Sequence, residues 1–560
     1  MIACRKAAFI LAFFLQSFAA TAAAPVQLIY TGDLMGELEP CGCRTNPLGG
    51  MVRLFNDLKR LPSSGTAGTS SLTSTFSNRL YLDAGDLLFP TSPVPPLLAR
   101  QSEVQAHYLL RAMEKVGLDA VVPGEKEFGL GFAAFERLRM GTETRFLAAN
   151  LQKRKGGKFL EPYSIFVKKD GDGKPVKIAV LGLVGEKLAW PKELRASSAQ
   201  AAALKWVPIL RKKAQWVFVL SHQGLDDDLK LAKAVPGIDA VFGAHSQSFL
   251  QTPREVMRGH AKVILFQTSF RNQYVGHIPL LRPLGVEGHA LRAMDAGLDD
   301  SKTDPKSDSK ESPSEMGLLV SEFKAALAKV NAEEDVTKLP HLERDGSTSH
   351  LSFQTFPKCA ECHQTQFEFW RKTQHVHALQ ALVDQKQAQN KECLSCHTVG
   401  LGQSGGFNSV TVLAERHPPL VRVLESESET DETTKERPSL SWNANELAFF
   451  LNELEGAKSY TSDIQLERDK NSKLPVREAM TLVHTAWAPV QCENCHGAAE
   501  GHPFTGQYSK KVEISACLKC HSAERAPDWY SKGVLNESLA KEKFKKVMCP
   551  RTPDGSSEGK

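Results

Sequence analysis

The chain has 560 residues, of which 41% are hydrophobic and 24% charged, so it can bury a sizeable core and is neither fibrous nor disordered. Its net charge of +5 is spread along the sequence. Because no basic stripe is interleaved with aromatic residues, nucleic acid is not an expected partner. The length is compatible with about two to four domains.

The first 22 residues have the pattern of a cleaved secretory signal. Arg5 and Lys6 supply a positive start, Ala7–Phe18 an apolar stretch, and Ala20–Ala22 small residues at a cleavage site. The alternative is an uncleaved membrane anchor, but the apolar stretch is shorter than the ~20 residues that a bilayer core requires. We therefore expect a periplasmic or secreted protein, with a signal peptide at residues 1–22 and no transmembrane segment in the mature chain.

Residues 25–298 alternate short β-branched runs with amphipathic stretches, which predicts an α/β domain. The predicted strands are Val26–Tyr30, Leu80–Asp83, Ile178–Gly182, Trp216–Ser221, Ala240–Gly243 and Val263–Gln267. Polar side chains follow several of these strands directly, and strand ends are where α/β folds place their sites. These side chains are Asp33, Asp86, His222 and His245.

The composition changes after residue 298. Residues 299–315 are Asp, Ser, Lys and Pro with almost nothing apolar, whereas Met316–Asn331 has apolar residues at helical spacing. This predicts a linker and a helix within 299–340. Residues 341–549 have few strand-like runs and place helical patterns near paired cysteines, which predicts a mostly α, loop-rich domain; residues 550–560 are expected to be a disordered tail.

The pattern Cys-x-x-Cys-His occurs four times in the second domain, and each copy is typical of covalent attachment of a c-type heme. The two thiols bond to the vinyl groups of one porphyrin, and the adjacent imidazole becomes the proximal ligand of the iron. Zinc ribbons or disulfides are the alternatives, but neither requires a histidine after every second cysteine. We therefore predict four c-type hemes. The motifs are Cys359-Cys362-His363, Cys393-Cys396-His397, Cys492-Cys495-His496 and Cys517-Cys520-His521.

Further histidines in this domain are candidates for the distal positions on the irons. They are His341, His350, His375, His377, His417, His484 and His502. Each one alone is more often a surface or packed residue than a ligand, but as a group they should supply several axial ligands. His375 and His377 would point to different faces of a helix, so they could serve two hemes or only one. We select His375, His377, His484 and His502 as candidate heme ligands.

This region resembles the tetraheme cytochromes c of the nitrifier, c-554 type. The likeness is carried by Cys359–His363 followed by Trp370 and Thr373–Ala378, by Cys396–Gly400, and by Cys492–Gly497 with His502. The resemblance implies closely stacked hemes, mostly with two histidine ligands each, that serve in electron transfer. It also raises the hypothesis that one iron keeps an open position.

The first domain resembles the catalytic domain of the exported 5′-nucleotidases, which are calcineurin-like metallophosphoesterases. The matching pieces appear in the family's order. They are Thr31–Asp33 with Gly36 and Leu38–Pro40, Gly49–Gly50 with Arg53, Asp83–Asp86, Gly124 with Glu127–Phe128, Ala149–Leu151, Leu220–Gly224 and Gly243–Gln247. The resemblance implies an α/β sandwich that holds two divalent metals bridged by a carboxylate, which polarise a phosphoester and generate a hydroxide nucleophile.

Met35, Lys126 and Gln247 stand where the family pattern has histidines. By this resemblance, one metal site would lose both of its histidines, at Met35 and Gln247. The other site keeps a carboxylate and two histidines, with Glu125 in place of the family's Asn, and suits one Zn, Mn or Fe ion. Lys126 still offers a cation and is a candidate catalytic residue. The candidate metal ligands are Asp33, Asp86, Glu125, His222 and His245.

Cys41 and Cys43 form a Cys-Gly-Cys element after the first predicted strand. Such soft sulfur groups could bind a thiophilic ion such as Cu(I), form a reducible disulfide, or carry a sulfur species. The alternative is a structural pair of buried thiols, or a bridge from one of them to Cys549. Because the loop also carries residues at ligand positions, we treat Cys41 and Cys43 as candidate catalytic residues.

The leading hypothesis is an exported tetraheme cytochrome for electron transfer, whose first domain binds a metal or a substrate. It would have periplasmic or membrane redox partners and a small-molecule or anionic substrate, so an oxidoreductase or electron carrier is favoured. The alternative is a metal-dependent phosphoester hydrolase with an accessory heme domain. The nucleotidases carry a separate C-terminal domain that holds the base, and the heme domain stands in its place, which weakens this alternative. A third hypothesis makes the first domain a docking module without chemistry.

Overall fold

The computed structural model describes residues 25–40, 47–61, 78–300, 313–333, 353–401 and 490–550, apart from residues 385, 386, 388, 389, 500, 503–507, 510, 524, 532 and 533. The predicted signal peptide, Cys41, Cys43 and His484 lie outside the described residues. So do His341, His350, His417 and the predicted tail beyond Pro550.

The N-terminal domain is built on short, mostly buried strands, which include all six of the strands predicted above. In chain order they are β1 (Gln27–Thr31), β2 (Arg79–Asp83), β3 (Leu118–Val121), β4 (Arg145–Phe146), β5 (Leu151–Lys153), β6 (Tyr163–Lys169), β7 (Pro175–Val184), β8 (Leu194–Ala196), β9 (Trp216–His222), β10 (Ala240–Gly243), β11 (Arg254–Arg258), β12 (Ala261–Gln267), β13 (Tyr274–Pro279) and β14 (Ala290–Ala293).

Twelve of these strands form two six-stranded mixed sheets, and β5 and β8 pair with each other as a separate two-stranded sheet. The first has the order β14-β13-β1-β2-β3-β4 and the second the order β11-β12-β10-β9-β7-β6. The centre of each sheet is parallel, because β1 to β4 run together in the first and β7, β9, β10 and β12 in the second. Parallel strands end at the same edge, so both sheets gather the loops that follow their strands.

Helices connect these strands and cover the sheets. They are α1 (Met51–Arg60), α2 (Ala99–Lys115), α3 (Phe132–Met140), α4 (Ala199–Arg211), α5 (Leu225–Ala234) and α6 (Glu315–Glu333).

Strand β9 shows why the sequence forms a two-sheet sandwich. Its apolar residues alternate between two cores: Phe218 and Leu220 belong to the core between the sheets, while Val217 and Val219 pack in a second core with helices α4 and α5. A strand buried on both faces needs this nearly continuous apolar run. The predicted α/β metallophosphoesterase-like sandwich is therefore confirmed.

Helix α6 matches the helix predicted at Met316–Asn331 and packs against α1 and α2. Leu319, Phe323 and Leu327 on this helix belong to the core of the N-terminal domain. Lys324 pairs with Glu39 at 2.5 Å on the surface of the same domain. Helix α6 is therefore part of the N-terminal body and brings the chain to the edge where the second domain begins.

The C-terminal domain is mostly helical, as predicted, and its helices are short. They are α7 (Thr355–Cys362), α8 (Gln364–Trp370), α9 (Ala378–Asp384), α10 (Lys391–His397), α11 (Cys492–His496), α12 (Ile514–Leu518) and α13 (Glu537–Val547), with a small hairpin of β15 (Tyr530–Ser531) and β16 (Val534–Leu535). A small apolar cluster of Phe356, Phe367 and Trp370 joins α7 to α8. A second small cluster in the described part of this domain contains Ala526, Trp529 and Ala540.

Hydrogen bonds join the two domains around Gln101 on α2, whose side chain is 1% exposed. Its Oε1 accepts from the backbone N–H of Lys391 at 3.0 Å and from Asn331 Nδ2 at 3.1 Å, and its Nε2 donates to Asn390 Oδ1 at 3.0 Å. Gln387 Nε2 also donates to Glu39 Oε2 at 2.6 Å. The second heme motif therefore begins at a contact with the N-terminal domain.

Candidate functional site

The predicted metal ligands of the N-terminal domain converge at the carboxyl ends of the parallel strands. Asp33 follows β1, Asp86 follows β2, Glu125 follows β3, His222 ends β9, and His245 follows β10. Backbone hydrogen bonds fasten the first two loops together, since Asp33 N–H donates to Gly85 O at 2.8 Å and Met35 N–H to Asp86 O at 2.8 Å. The cluster thus lies where the two sheets meet.

The loops around this cluster have unusual backbone geometry. Asp33, Met35, Asp86, His245 and Gln247 all adopt positive φ angles, between 52° and 76°, although none of them is glycine. Such angles are uncommon for residues with a Cβ and concentrate at functional sites. Sequence reasoning missed this feature, because the residue types alone do not signal it.

Four side chains come together as a candidate metal site, which we call the four-ligand group: Asp86, Glu125, His222 and His245. Their ligand atoms all lie within 4.8 Å of one another. His222 Nε2 lies 3.4 Å from Asp86 Oδ1 and 3.4 Å from Glu125 Oε2, and His245 Nδ1 lies 3.5 Å from Glu125 Oε1. Two imidazoles and two carboxylates form a donor set that suits one Zn, Mn or Fe ion.

The buried polar atoms of this group fit a metal ion. His222 Nε2 and Glu125 Oε2 are buried, lie 3.4 Å from each other and have no other hydrogen-bond partner. His222 Nδ1 donates a hydrogen bond to Ala84 O at 2.7 Å, so Nε2 is the ring nitrogen that faces the cluster and that a bound metal ion would use. Buried polar atoms that face one point without partners are costly unless an ion binds there.

Gly124 leaves the space that the ligands need. A Cβ at this position would overlap Asp86 Oδ1 and would lie 2.5 Å from His222 Nε2. The glycine next to Glu125 is therefore required by the close approach of the backbone to the cluster.

Lys126 and Asp33 lie beside the four-ligand group. Lys126 Nζ is 2.9 Å from Asp86 Oδ2, and its backbone N–H donates to Asp86 Oδ1 at 3.0 Å. Asp33 is buried, and its carboxylate accepts from the backbone N–H of His245 at 3.1 and 3.2 Å. The structure therefore brings both predicted residues to the site, with Asp33 turned toward a backbone amide.

The carboxylates and cations of the site shift one another's pKa. Burial raises the pKa of Asp33 to about 6, against the attraction of His222. Burial lowers the pKa of His222, but the carboxylates of Asp86, Glu125 and Asp33 outweigh it and raise the pKa to about 10. Burial also lowers the pKa of Lys126, and Asp86 and Asp33 reverse that effect, so that Lys126 carries a charge. The metal-free site thus concentrates negative charge that attracts cations.

The four heme motifs all lie in the described part of the C-terminal domain, each at a short helix or just beyond its end. Different motifs approach closely: Cys359 is within hydrogen-bonding range of Cys492, and Cys396 of Cys520. Motif one therefore lies against motif three, and motif two against motif four. The cysteines described in this domain are free thiols.

Two of the proximal histidines are oriented by backbone carbonyls. His397 Nδ1 is 2.5 Å from Ala378 O, and His496 Nδ1 is 2.7 Å from Ser509 O. A carbonyl on Nδ1 fixes the ring and leaves Nε2 to bind a metal. This arrangement fits residues that hold a heme iron.

Two candidate distal histidines face motif histidines. The rings of His363 and His502 have centroids 5.8 Å apart, and those of His375 and His521 are 6.3 Å apart. These spacings would allow each pair of imidazoles to hold one heme iron between them. His377 lies two residues beyond His375 in the same helical turn, Gln374–His377.

Comparisons with known proteins divide the chain in the same way. Apyrase of Tabanus yao is 26% identical over 275 residues, which cover 45% of this chain and 45% of that protein. The 5′-nucleotidase of Homo sapiens is 26% identical over 253 residues, covering 40% of this chain and 38% of that protein. The N-terminal domain is thus a 5′-nucleotidase-like metallophosphoesterase domain.

The second domain has different relatives. The family model described as cytochrome c554 and c-prime matches residues 358–417. Cytochrome c-554 of Nitrosomonas europaea is 33% identical over 70 residues, covering 10% of this chain and 30% of that protein. The chain is therefore a fusion of a nucleotidase-like domain with a cytochrome c-554-like domain.

The chain spans less than half the length of the curated relatives named here. Among the residues that the structure describes, every helix is too short or too polar to cross a bilayer.

Proposed function

We propose that this chain is an exported tetraheme c-type cytochrome for electron transfer, whose N-terminal domain holds one divalent transition metal ion. The observation that carries the proposal is the packing of four Cys-x-x-Cys-His motifs in one small helical domain, with further imidazoles facing two of the motif histidines. Stacked motifs of this kind suit electron transfer because neighbouring hemes would lie close together. The domain's docking on the metal-binding domain supports exchange of electrons between the two.

Each motif has a defined role in this proposal. The paired cysteines attach the porphyrins, and His363, His397, His496 and His521 bind the irons from the proximal side. His502 is the proposed distal ligand of the first heme and His375 that of the fourth. Bound heme supplies one-electron redox chemistry, and the protein sets its potential through these ligands and the surrounding burial.

Heme content and ligation test this part of the proposal. The protein should be matured in a host with c-type assembly machinery, and elemental analysis should then give about four iron atoms per chain. His502→Ala and His375→Ala should each convert one heme from low-spin to high-spin, seen in the absorption spectrum. His260→Ala, in the N-terminal domain, is the control. Two iron atoms or fewer, or distal variants with unchanged spectra, would contradict the proposal.

The N-terminal domain is proposed to bind the small molecule or anion that is oxidised or reduced, through its metal site or its Cys-Gly-Cys element. Cys41 and Cys43 follow Glu39 and Pro40, and Glu39 contacts the second domain through Gln387. The thiol version predicts that Cys41→Ser with Cys43→Ser slows heme reduction by a substrate of the domain, such as a thiol or an inorganic sulfur anion. Unchanged reduction rates would remove the thiols from the proposal.

A second candidate function is favoured by the four-ligand group itself. One metal ion bound there could still cleave a phosphoester, as nucleotidase-like relatives suggest, with the hemes as an accessory domain. This version predicts release of phosphate from nucleotides or an aryl phosphate in the presence of Mn²⁺. Loss of that release in His222→Ala would assign it to this site, whereas no turnover with any divalent metal would count against hydrolysis.

A further inference from the structure

Lys126 lies against Asp86, and its backbone N–H donates to Asp86 Oδ1. The short helix Lys126–Phe128 is anchored by Glu127, which is fully buried and accepts from the backbone N–H groups of Asp86 at 3.1 Å and Leu88 at 3.2 Å. Glu127 also accepts from Gly124 N–H at 2.5 Å. The backbone of Lys126 is therefore held against Asp86, and its side chain has little freedom to leave.

The ammonium group of Lys126 lies 2.9 Å from Asp86 Oδ2, the oxygen that does not contact His222. The side chain of Lys126 is 18% exposed, so the ion pair is largely withdrawn from water. Asp86 Oδ1 lies near His222 Nε2 and accepts from the backbone N–H of Lys126, whereas Asp86 Oδ2 pairs with the ammonium group of Lys126.

The resemblance places the ligands of a second ion at Met35 and Gln247, which offer a thioether and an amide in place of imidazoles. Both have the same left-handed backbone geometry as the ligand residues Asp86 and His245. Asp33 is partly satisfied by the amide of His245. A second divalent ion at Asp86 Oδ2 would have to compete with the ammonium group that already pairs with this carboxylate.

We infer that this site is mononuclear and that the ammonium group of Lys126 provides, at Asp86 Oδ2, the positive charge that a second metal ion would provide in a two-metal site. The inference rests on the proposed function only in requiring that the four-ligand group binds one ion.

Electrostatic repulsion prevents the ammonium group of Lys126 and a second divalent ion from lying together at Asp86 Oδ2. A divalent ion that shared Asp86 Oδ2 would lie within a few ångströms of the ammonium, and at that separation in a buried site like charges repel strongly. Lysine is a compact donor without lone pairs, so it can hold an anion but cannot coordinate and acidify a water molecule as an ion would. The site keeps two centres of positive charge for binding an anion, with only one of them able to activate water.

Metal counting on the heme-loaded, full-length protein tests this inference. The wild type, Lys126→Met and Lys126→Arg are dialysed to equilibrium against rising Mn²⁺, and manganese per chain is measured with the iron content as internal standard. The wild type and Lys126→Arg should saturate at one Mn²⁺. Lys126→Met should bind the first ion about tenfold more tightly, because the repulsion is gone, and should take up a second ion more weakly. A spin-coupled manganese EPR signal should accompany the second ion.

The measured number of manganese ions and their affinities decide whether the inference holds. Two ions in the wild type, or a Lys126→Met variant that binds one ion with unchanged affinity, would overturn the inference while leaving the metal site in place. No manganese in any variant, with Zn²⁺ and Fe²⁺ giving the same result, would overturn the proposed metal site and this inference together. His222→Ala is the matched control, since it should lose the first ion.

Discussion

At the scale of single residues, the geometry of the four-ligand group depends on the absence of a side chain at Gly124. A methyl group there would overlap Asp86 Oδ1 and crowd His222 Nε2. We predict that Gly124→Ala lowers Mn²⁺ affinity by at least tenfold, because the two ligands must move apart, and calorimetric titration would measure this. Gly141→Ala is the control, since a Cβ there meets its neighbours at ordinary contact distances of 3.5 and 3.6 Å. Equal affinities in the two variants would show that the cluster relaxes around the added methyl group.

A second residue, Asp57, makes stability depend on pH. Its buried carboxylate pairs with His277 Nε2 at 2.9 Å and Arg292 Nη1 at 2.8 Å. Burial raises the pKa of Asp57, but these two partners outweigh it and lower the pKa below the usual 3.8. The stabilisation is therefore fully present above the ordinary pKa and is lost as the pH falls through the lower, folded-state pKa.

The corresponding variant is Asp57→Asn. It should cost about 2 kcal/mol of unfolding free energy near neutral pH, because the buried His277 and the half-exposed Arg292 lose their carboxylate partner, and the cost should shrink below pH ~4. Denaturant unfolding at several pH values measures it, with the exposed Asp172→Asn as a control expected to change little. A cost that is the same at pH 3 and pH 7 would contradict the assignment.

The functional roles of residues could be predicted from the sequence where a recognisable motif contains them, as with the heme cysteines and the histidines that follow strands. The sequence could not predict which histidines pair, because His363 with His502 and His375 with His521 are contacts between separate segments. Nor could it predict that Lys126 turns its ammonium onto Asp86, since that depends on the anchoring of Glu127 behind it.

At the scale of elements, the long periodic segments were the predictable ones. The predicted helix at Met316–Asn331 and strands such as Trp216–Ser221 are present with nearly the predicted bounds. The short helices of the heme domain have too few turns to show a period, so only their cysteine spacing indicated them. Docking of α6 into the N-terminal core also depends on tertiary contacts that composition does not reveal.

Glu493 joins the third heme motif to the start of helix α7 through hydrogen bonds. Glu493, inside the third motif, accepts from the backbone N–H groups of Gln354 at 3.0 Å, Thr355 at 2.8 Å and Ala499 at 2.8 Å. We predict that Glu493→Ala costs about 2 kcal/mol, because buried N–H groups at the start of α7 lose their acceptor. Unfolding followed through the heme absorption would measure the loss. Glu493→Gln, which retains one oxygen, should cost less, and an equal cost in both variants would argue that charge is what matters.

At the scale of the whole molecule, the two domains are joined through Gln101 on α2. We predict that Gln101→Ala exposes the start of α10, so that the amide of Lys391 exchanges its hydrogen at least tenfold faster. Hydrogen exchange read by mass spectrometry on the peptide that contains residues 390–397 would detect it. Glu103→Ala, two residues along the same helix and exposed, should leave this peptide unchanged. Unaltered exchange in Gln101→Ala would mean that other contacts hold the domains together.

Helix α2 also contacts the metal-binding loops, because Gln105 Nε2 donates to Gly36 O at 2.5 Å, one turn away from Gln101. Helix α2 thus contacts the loop after β1 through Gln105 and the start of the second heme motif through Gln101. If metal binding moves that loop, the same displacement reaches the heme helix, and the two sites become thermodynamically linked. Reciprocity then requires that any shift in heme potential caused by the metal be matched by an equal change in metal affinity upon reduction. The fusion would in that case work as a device in which the oxidation state of the hemes sets how tightly the other domain holds its ion.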